Sequence, residues 1–326
     1  MGLRGYLVKR LMYSFVLLFF VLALNFVIFE LMPGDPTALF ASPGRLRPGD
    51  PERVKKLWGF DQPIHIRFAK YIVNMLTGQF GNSYISGGAI SEEVSARLLN
   101  TFLLVGLSTI FSVLIGVILG VIAAHRRGGL FDSVSVVGSL VTYSLPTFWM
   151  GMIFILVFSL RLGWFPDGGT SSFTAMNPPP NILVDFSDRL WHLFLPCLVL
   201  TLFQYGGYLL LTRATMIETL TDDYILTARA KGLKERTVLF KHALKNASLP
   251  LITTAAISIG FVLSGAIITE QVFRYPGLGW WTWKAIGYND YPVLHCIFYL
   301  TALCVIVANF IADFLYGIID PRIKYG

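Results

Sequence analysis

The chain has 326 residues, of which 55% are hydrophobic and only 14% are charged, and its mean hydropathy is +0.64. A soluble domain carries about 25% charged residues, so this composition excludes a soluble globular protein. The net charge of +7 does not indicate a nucleic-acid partner, because the basic residues lie between apolar runs and form no single soluble patch.

Six apolar stretches are long enough to cross a bilayer. A spanning helix needs about 20 residues, since roughly 30 Å of hydrocarbon is crossed at about 1.5 Å per residue. Lipid offers no hydrogen-bond partner to the backbone, so each stretch is expected to be a helix. The predicted spans are residues 11–31, 102–124, 133–160, 190–212, 249–269 and 293–317. We therefore predict an all-α integral membrane protein with six transmembrane helices, formed as one domain over residues 1–326.

The first apolar run follows the basic residues Arg4, Lys9 and Arg10, a pattern that also precedes the apolar core of a signal peptide. A signal core is typically only about 7–15 residues long, whereas residues 11–31 form a longer run. We expect this segment to be an uncleaved first span.

Lysine and arginine counts predict the sidedness. If the N-terminus is cytoplasmic, the inner segments hold fourteen of these residues and the two short outer loops hold four. Positive charge is enriched in cytoplasmic loops, so both termini and the loop 213–248 are predicted to be cytoplasmic. Residues 32–97 then form an extracytoplasmic segment.

Part of that outer segment has helical periodicity. Its apolar residues recur every three or four positions: Ile64, Phe68, Tyr71, Ile72, Met75 and Leu76. Such spacing predicts an amphipathic helix. A helix lying along the membrane surface is favoured by the pattern alone, and packing over the outer mouth of a pathway is the alternative.

Motifs for bond chemistry are absent from the sequence. There is no G-x-x-x-x-G-K-[ST] phosphate loop and no H-E-x-x-H, and the five histidines are scattered. Cys197, Cys296 and Cys304 lie inside predicted spans, where apolar surroundings make thiols unreactive. We expect a non-catalytic chain with no cofactor and no metal of its own.

Several polar residues fall inside or beside the predicted spans. Polar groups are costly in hydrocarbon and usually face the bundle interior or a wet cavity. The residues interpreted as lining a pathway are Tyr143, Gln204, Ser258, Ser264, Glu270 and Asp313.

The fifth predicted span is rich in alanine, glycine and serine, which let helices approach closely. Simple helix packing, or a pathway-lining helix that contacts a second subunit, would both explain this composition. Pro146 and Pro196, deep in the third and fourth predicted spans, permit kinks.

The loop 213–248 contains the densest cluster of charge in the chain. Asp222 and Asp223 precede a helix-compatible run, where negative charge is favourable at a helix N-terminus. Ile225 and Ala228 share one helical face, and Gly232 either interrupts this helix or allows another backbone to approach closely.

A second stretch, residues 234–246, places Val238, Leu239, Phe240 and Leu244 for packing and lets Lys241 and Lys245 point outward. Pro250 is expected to restart the chain as the fifth span. This loop has the pattern of a docking surface for a cytoplasmic partner.

The loop resembles the "EAA" loop of prokaryotic ABC importer permeases, whose pattern is E-A-A-x-x-x-G followed by I-x-L-P. Residues 226–232 read LTARAKG, which keeps the second alanine and the glycine but not the glutamate. The form DYxxTARAKGL…HALxNAxLP is typical of the dipeptide/oligopeptide/nickel permease family. Similar motifs run along the chain: LMPGDP at 31–36, GQFGNSY at 78–84, YSLPTFWMG at 143–151, GWFPDGG at 163–169, HLFLPCLVL at 192–200, TEQVFRYPGLG at 269–279, NDYPV at 289–293 and ADFLYGIIDPRI at 312–323.

The resemblance implies the type I ABC importer permease fold and, from the N-terminal signature and the long outer segment, a "B"-type permease. It implies a heterodimer with a "C"-type permease in the prokaryotic cytoplasmic membrane. Two cytoplasmic ATPase subunits would bind ATP and magnesium, and a solute-binding protein would deliver cargo outside. The residues that would couple to the ATPase are Tyr224, Thr227, Ala228, Arg229, Ala230, Lys231, Gly232 and Leu233.

Peptide is the cargo favoured by the motifs, and nickel–chelate, glutathione and oligosaccharide importers share this permease type. A proton-coupled secondary transporter using Glu30, Glu270 or Asp313 is a rival from another class. Paired intramembrane acids are absent from the sequence, and the docking loop argues against this rival. A purely structural membrane scaffold is a third possibility, and it leaves the polar residues of the spans unexplained.

Overall fold

The computed structural model describes residues 3–31, 61–174, 176–260 and 266–319. Over these residues the chain is helical and no strand is formed. The helices are α1 (Leu3–Leu31), α2 (Ile64–Thr77), α3 (Ile90–His125), α4 (Leu130–Ser144), α5 (Thr147–Phe154), α6 (Ile182–Thr219), α7 (Asp223–Ala230), α8 (Leu244–Gly260), α9 (Ile267–Val272), α10 (Leu278–Gly287) and α11 (Tyr291–Ile319). Two π-helical segments continue α5 (Ile155–Arg161) and precede α8 (Val238–Ala243).

Four described helices are long and apolar enough to cross a membrane: α1, α3, α6 and α11. They coincide with the first, second, fourth and sixth predicted spans. Both α3 and α6 are longer than predicted, since α3 begins at Ile90 and α6 runs from Ile182 to Thr219. Residues 90–97, assigned to the outer segment, are therefore the first turns of α3.

The third predicted span, residues 133–160, is broken. Helix α4 ends at Ser144, α5 begins at Thr147, and the two helices are bent by 96°. Pro146 has no backbone N–H to donate, and the residue before a proline is forced out of the helical region, as the extended ψ of 130° at Leu145 shows. With this bent pair taken as one span, the described residues contain five.

The fifth predicted span, residues 249–269, lies partly outside the described residues, between the end of α8 at Gly260 and the start of α9 at Ile267. The expectation that Pro250 begins this helix is wrong. The backbone is already helical from Leu244, and Pro250 lies inside α8.

Helix α6 lies at the centre of the bundle, packed against α3 and α4. Gly116 and Gly120 of α3 leave no room for a side chain: an added Cβ would come within 2.6 Å of Tyr208 and of Thr212, respectively. The hydroxyl of Ser112 also donates to the carbonyl of Thr201, at 3.2 Å. Small residues thus bring these two helices together. The composition of the fifth span predicts such packing there, whereas Gly116 and Gly120 lie in the second predicted span.

Helix α2 forms where the outer segment was predicted to be amphipathic. Tyr71 and Met75 are buried against α1 and α11, while Ile64 and Leu76 at its two ends remain exposed. The amide of Asn25 in α1 donates to the Tyr71 hydroxyl at 2.8 Å. This helix therefore packs on the bundle with one face.

Candidate functional site

The charged loop folds onto the ends of α3 and α6. Ile225 and Ala228 of α7 are buried, at 0% and 7% exposure, in a cluster with Val121 of α3 and Met216 of α6. Burial of this one face holds the short helix in place, since eight residues are too few for a stable isolated helix. The predicted shared face of Ile225 and Ala228 is confirmed.

The opposite face of α7 and the turn after it are open. Seven of the eight residues predicted to couple to an ATPase are exposed here: Tyr224, Thr227, Arg229, Ala230, Lys231, Gly232 and Leu233. The eighth, Ala228, faces the chain's own core. Ile225, which anchors the helix most deeply, was not among those eight residues, although its apolar spacing with Ala228 signalled it.

The helix ends before the last of the residues predicted to couple to an ATPase, which extend from Tyr224 to Leu233. Its last residue is Ala230, and Gly232 adopts a left-handed φ of +73°. The Gly232 N–H donates to the Arg229 carbonyl at 2.9 Å, which closes a tight turn. Side chains other than glycine are strained at this φ, so Gly232 terminates the helix, which is one of the two roles the sequence left open.

The second half of the loop matches its predicted pattern in part. Leu244 packs against the apolar cluster as predicted, but Phe240, also predicted to pack, is 40% exposed. Val238, Leu239 and Ala243 are buried beneath α7. Lys241 and Lys245 are exposed. The loop therefore presents a helix and a row of basic side chains on a well-packed apolar base.

The candidate pathway residues do not all lie together. Gln204 and Ser258 line a cavity of about 790 Å³ between α3, α6, α8, α9 and the bend at Pro146. Tyr208 donates its hydroxyl to Ser258 at 2.8 Å, and Thr109 donates to the Gln204 amide oxygen at 3.4 Å. No charged side chain among the described residues lines this cavity, whose walls are mostly apolar.

Three other candidates are placed elsewhere or not described. Tyr143 is 58% exposed and stacks on Phe203, a residue that lines the cavity, with 5.6 Å between the ring centroids. Ser264 lies outside the described residues. Asp313 belongs to α11, and its side chain also lies outside the described part.

Glu270 does not line the cavity. It is fully buried, at 0% exposure, in the first turn of α9. Its carboxylate accepts hydrogen bonds from the Thr101 hydroxyl at 2.8 Å and from the Trp280 N–H at 2.9 Å. Because Trp280 lies in the first turn of α10, the carboxyl group caps that helix by accepting one of the N–H groups that have no partner within the helix.

The glycines before and within α10 fit this arrangement. A Cβ at Gly277 would lie 2.4 Å from the Glu270 Oε2 and from the Thr101 Oγ1, and a Cβ at Gly279 would lie 2.7 Å from the Ile267 backbone. Thr101 also accepts the Leu278 N–H at 2.7 Å. The motif TEQVFRYPGLG thus builds a structural corner, which we call the outer corner (Glu270, Thr101, Gly277, Gly279 and Trp280). Thr101 was missed because it lies far away in sequence.

Within the described ranges, no three histidine, cysteine, aspartate or glutamate side chains lie close enough to hold a metal ion. Cys197 and Cys296 are buried and Cys304 is partly buried, and none of these three thiols forms a disulfide.

Two family models match the chain. Residues 116–325 match the binding-protein-dependent transport system inner membrane component, and residues 3–94 match the N-terminal part of that membrane component.

Curated relatives match the chain over nearly its full length. An oligopeptide transport system permease protein of Bacillus subtilis is 39% identical, covering 99% of this chain and 100% of the relative. A di/tripeptide transport system permease protein of Pseudomonas aeruginosa is 35% identical, covering 98% and 99%. A glutathione transport system permease protein of Salmonella choleraesuis is 36% identical with the same coverage.

Among solved structures, an inward-facing methionine ABC transporter superposes with a TM-score of 0.54, over 70% of this chain and 96% of that chain. At 18% identity this likeness establishes the shared fold alone.

Proposed function

The chain belongs to the family of binding-protein-dependent transport system inner membrane components and is a permease component of an ABC importer, and from that premise we propose that it imports oligopeptides. The oligopeptide and di/tripeptide permease relatives support this cargo, and the exposed face of α7 supports the coupling of the chain to an ATPase subunit. Helix α7 is an ordered helix on an apolar base, with its polar side open to the cytoplasm that the charge distribution predicts.

In this mechanism the chain supplies half of the translocation pathway and a second, "C"-type permease supplies the other half. One of the two ATPase subunits binds the exposed residues of α7 and of the turn at Gly232. When the ATPase subunits close, the helix is displaced as a rigid lever, and the bundle moves between two arrangements. The chain itself breaks no bond, and ATP and magnesium belong to the ATPase subunits.

The proposed topology has six spans with both termini in the cytoplasm of a prokaryotic cell, in its inner membrane. The bent pair α4–α5 is the third span, and the fifth begins within α8. A solute-binding protein delivers cargo on the opposite side from α7.

The cavity beside the bend at Pro146 supports the placement of the pathway. Gln204 and Ser258 provide uncharged hydrogen-bonding groups among apolar walls. Neutral donors and acceptors of this kind suit the backbone amides of a peptide and make no demand on the charge of its side chains. We place these two residues on the route that cargo takes.

Glutathione is the second candidate cargo, favoured by the glutathione permease relatives, whose identity to this chain equals that of the di/tripeptide permease within a percentage point. Nickel–chelate and oligosaccharide cargo remain alternatives without a specific observation in their favour.

The test is isolation followed by reconstitution. The chain, tagged at its C-terminus, is purified from native membranes in mild detergent, and its partners are identified by mass spectrometry. We expect a second permease and two ATPase subunits. The complex, its binding protein and ATP in proteoliposomes should take up a labelled tetrapeptide. Uptake of glutathione in preference to the tetrapeptide would replace the cargo, whereas uptake driven by a proton gradient without ATPase subunits would overturn the proposal.

A further inference from the structure

Glu235 lies just beyond the turn at Gly232 and contacts Arg229 of α7. Its carboxylate accepts hydrogen bonds from two of the three guanidinium nitrogens: Nη2 lies 2.7 Å from Oε1, and Nε lies 3.3 Å from Oε2. Such a two-point contact fixes orientation as well as distance, because the planar guanidinium and carboxylate groups must face each other. Arg229 holds the pKa of Glu235 below its usual value, so the group is ionised at neutral pH.

The same carboxylate also faces the end of a long helix. The Nδ1 atom of His125, the last residue of α3, lies 3.6 Å from the Glu235 Oε1. Glu235 therefore connects α7 to α3 outside the apolar cluster. We call this group the cytoplasmic joint (Arg229, Glu235 and His125).

The apolar base alone does not fix the angle of α7. Ile225 and Ala228 share a buried apolar cluster with Val121 and Ala124 of α3, and apolar contact is non-directional, so small rotations of the helix keep most of that burial. The two-point contact of Arg229 with Glu235 does distinguish one rotation from another.

Folding stability is not the main effect of this joint. The side chains of Arg229, Glu235 and His125 are 38–41% exposed. Exposed ion pairs contribute little to the free energy of unfolding. What the joint changes is the alignment of α7 with α3, a helix whose other end reaches Thr101 and the outer corner.

We propose that Glu235 is a positioning residue that aligns the ATPase-coupling helix α7 with α3, so that a displacement of α7 moves α3 with it. This inference rests on the proposed function. When this alignment is lost, α7 can rotate on its apolar base. Part of the displacement that ATPase closure imposes on α7 is then not passed on to α3 and the rest of the bundle.

The experiment compares Glu235→Gln with wild type in the assembled complex in proteoliposomes. The measured quantity is peptide transported per ATP hydrolysed. We expect Glu235→Gln to lower this ratio about threefold, the factor that corresponds to the free energy of an exposed ion pair. Glu235→Asp, which keeps the charge on a shorter side chain, should give an intermediate ratio. Glu218→Gln is the matched control, because Glu218 is an exposed acid at the end of α6 and its loss should leave the ratio unchanged.

A second measurement separates positioning from direct contact with the ATPase. Amide hydrogen exchange in α7 should become faster in Glu235→Gln, while exchange in α3 and α6 stays as in wild type. An unchanged transport ratio would overturn the inference, and so would a lowered ratio with unchanged exchange in α7. If the complex does not assemble with Glu235→Gln, the transport ratio and the hydrogen exchange of α7 are measured on Glu235→Asp, and the same outcomes support or overturn the inference. Absence of ATP-driven uptake by the wild-type complex would instead contradict the proposed function.

Discussion

Two glutamates near opposite ends of the long helix α3 are held in opposite ways. In the outer corner, Glu270 is fully buried and is satisfied by uncharged donors that the backbone and Thr101 bring to it. In the cytoplasmic joint, Glu235 is partly exposed and is held by the charge of Arg229. A buried carboxylate with neutral donors cannot move without losing them. A solvated ion pair can re-form in a slightly different geometry. The difference indicates that α3 is fixed near its beginning, at Thr101, and adjustable at its last residue, His125.

The largest expected effect tests the fixed end. Glu270→Ala leaves the Thr101 hydroxyl and the Trp280 N–H without their acceptor. A buried donor left unsatisfied costs about 1–3 kcal/mol, so we expect the free energy of unfolding to fall by about 3 kcal/mol in total. The measurement is the apparent melting temperature of the purified chain in detergent. Glu270→Gln keeps an acceptor oxygen and should lose less, and a melting temperature of Glu270→Ala equal to wild type would contradict the structural role.

A smaller loss is expected from Gly277→Ala. The new Cβ would lie 2.4 Å from the Glu270 carboxylate and the Thr101 hydroxyl. Overpacking of this kind typically lowers the free energy of unfolding by about 1–3 kcal/mol, because neighbouring atoms must shift to make room. Gly287→Ala is the control at the other end of α10, because a Cβ there has nothing within 4 Å. Equal melting temperatures for the two variants would show that the outer corner is not tightly packed.

At the adjustable end, Gly232→Ala should separate transport from stability. A left-handed φ costs a residue with a Cβ about 1–2 kcal/mol, and the strain falls on an exposed turn with open space around it. We expect peptide transport per ATP to fall while the melting temperature of the spans stays within experimental error of wild type. The more severe change Gly232→Trp should abolish transport with the spans still folded. Persistent uptake by Gly232→Trp would contradict the coupling role of this turn.

The smallest effect concerns pH. The pKa of Glu235 is lowered from its ordinary value of 4.5, chiefly by the hydrogen bonds from Arg229. A group with a lowered pKa stabilises the fold above its ordinary value, and that stabilisation is lost as the pH falls through the lowered pKa. Protection factors of the α7 amides should therefore decrease as the pH falls below about 4.5. Glu235→Gln should remove this decrease, and a decrease of the same size in that variant would assign it to another group.

Local patterns in the sequence predicted the cytoplasmic loop well. The spacing of Ile225 and Ala228 identified the buried face, and the outward positions of Lys241 and Lys245 followed from the same periodicity. The end of the helix just before Gly232 is one of the two roles that the conformational freedom of glycine predicts. These features depend on residues that are close together in the chain, so periodicity is sufficient to find them.

Features that join distant residues were not predictable in this way. Thr101 and Glu270 are separated by 169 positions, and no pattern in either segment predicts a contact with the other. Glu270 was interpreted as a pathway residue because an acid near a span is costly, yet burial with partners satisfies the same cost. Likewise, the sequence around Gly116 and Gly120 is that of an ordinary apolar helix. Only the structure shows that these glycines lie against Tyr208 and Thr212.

The central claim, that the exposed face of α7 docks the ATPase subunits, is tested most directly by cross-linking. A photoreactive amino acid is placed at Thr227, which is exposed on α7, and in a second sample at Ser187, which is exposed near the start of α6 on the predicted outer side. Illumination of the purified complex should link Thr227 to an ATPase subunit, to an extent that changes when ATP is added, and should link Ser187 to none. An assembled complex in which Thr227 gives no ATPase product would contradict the account.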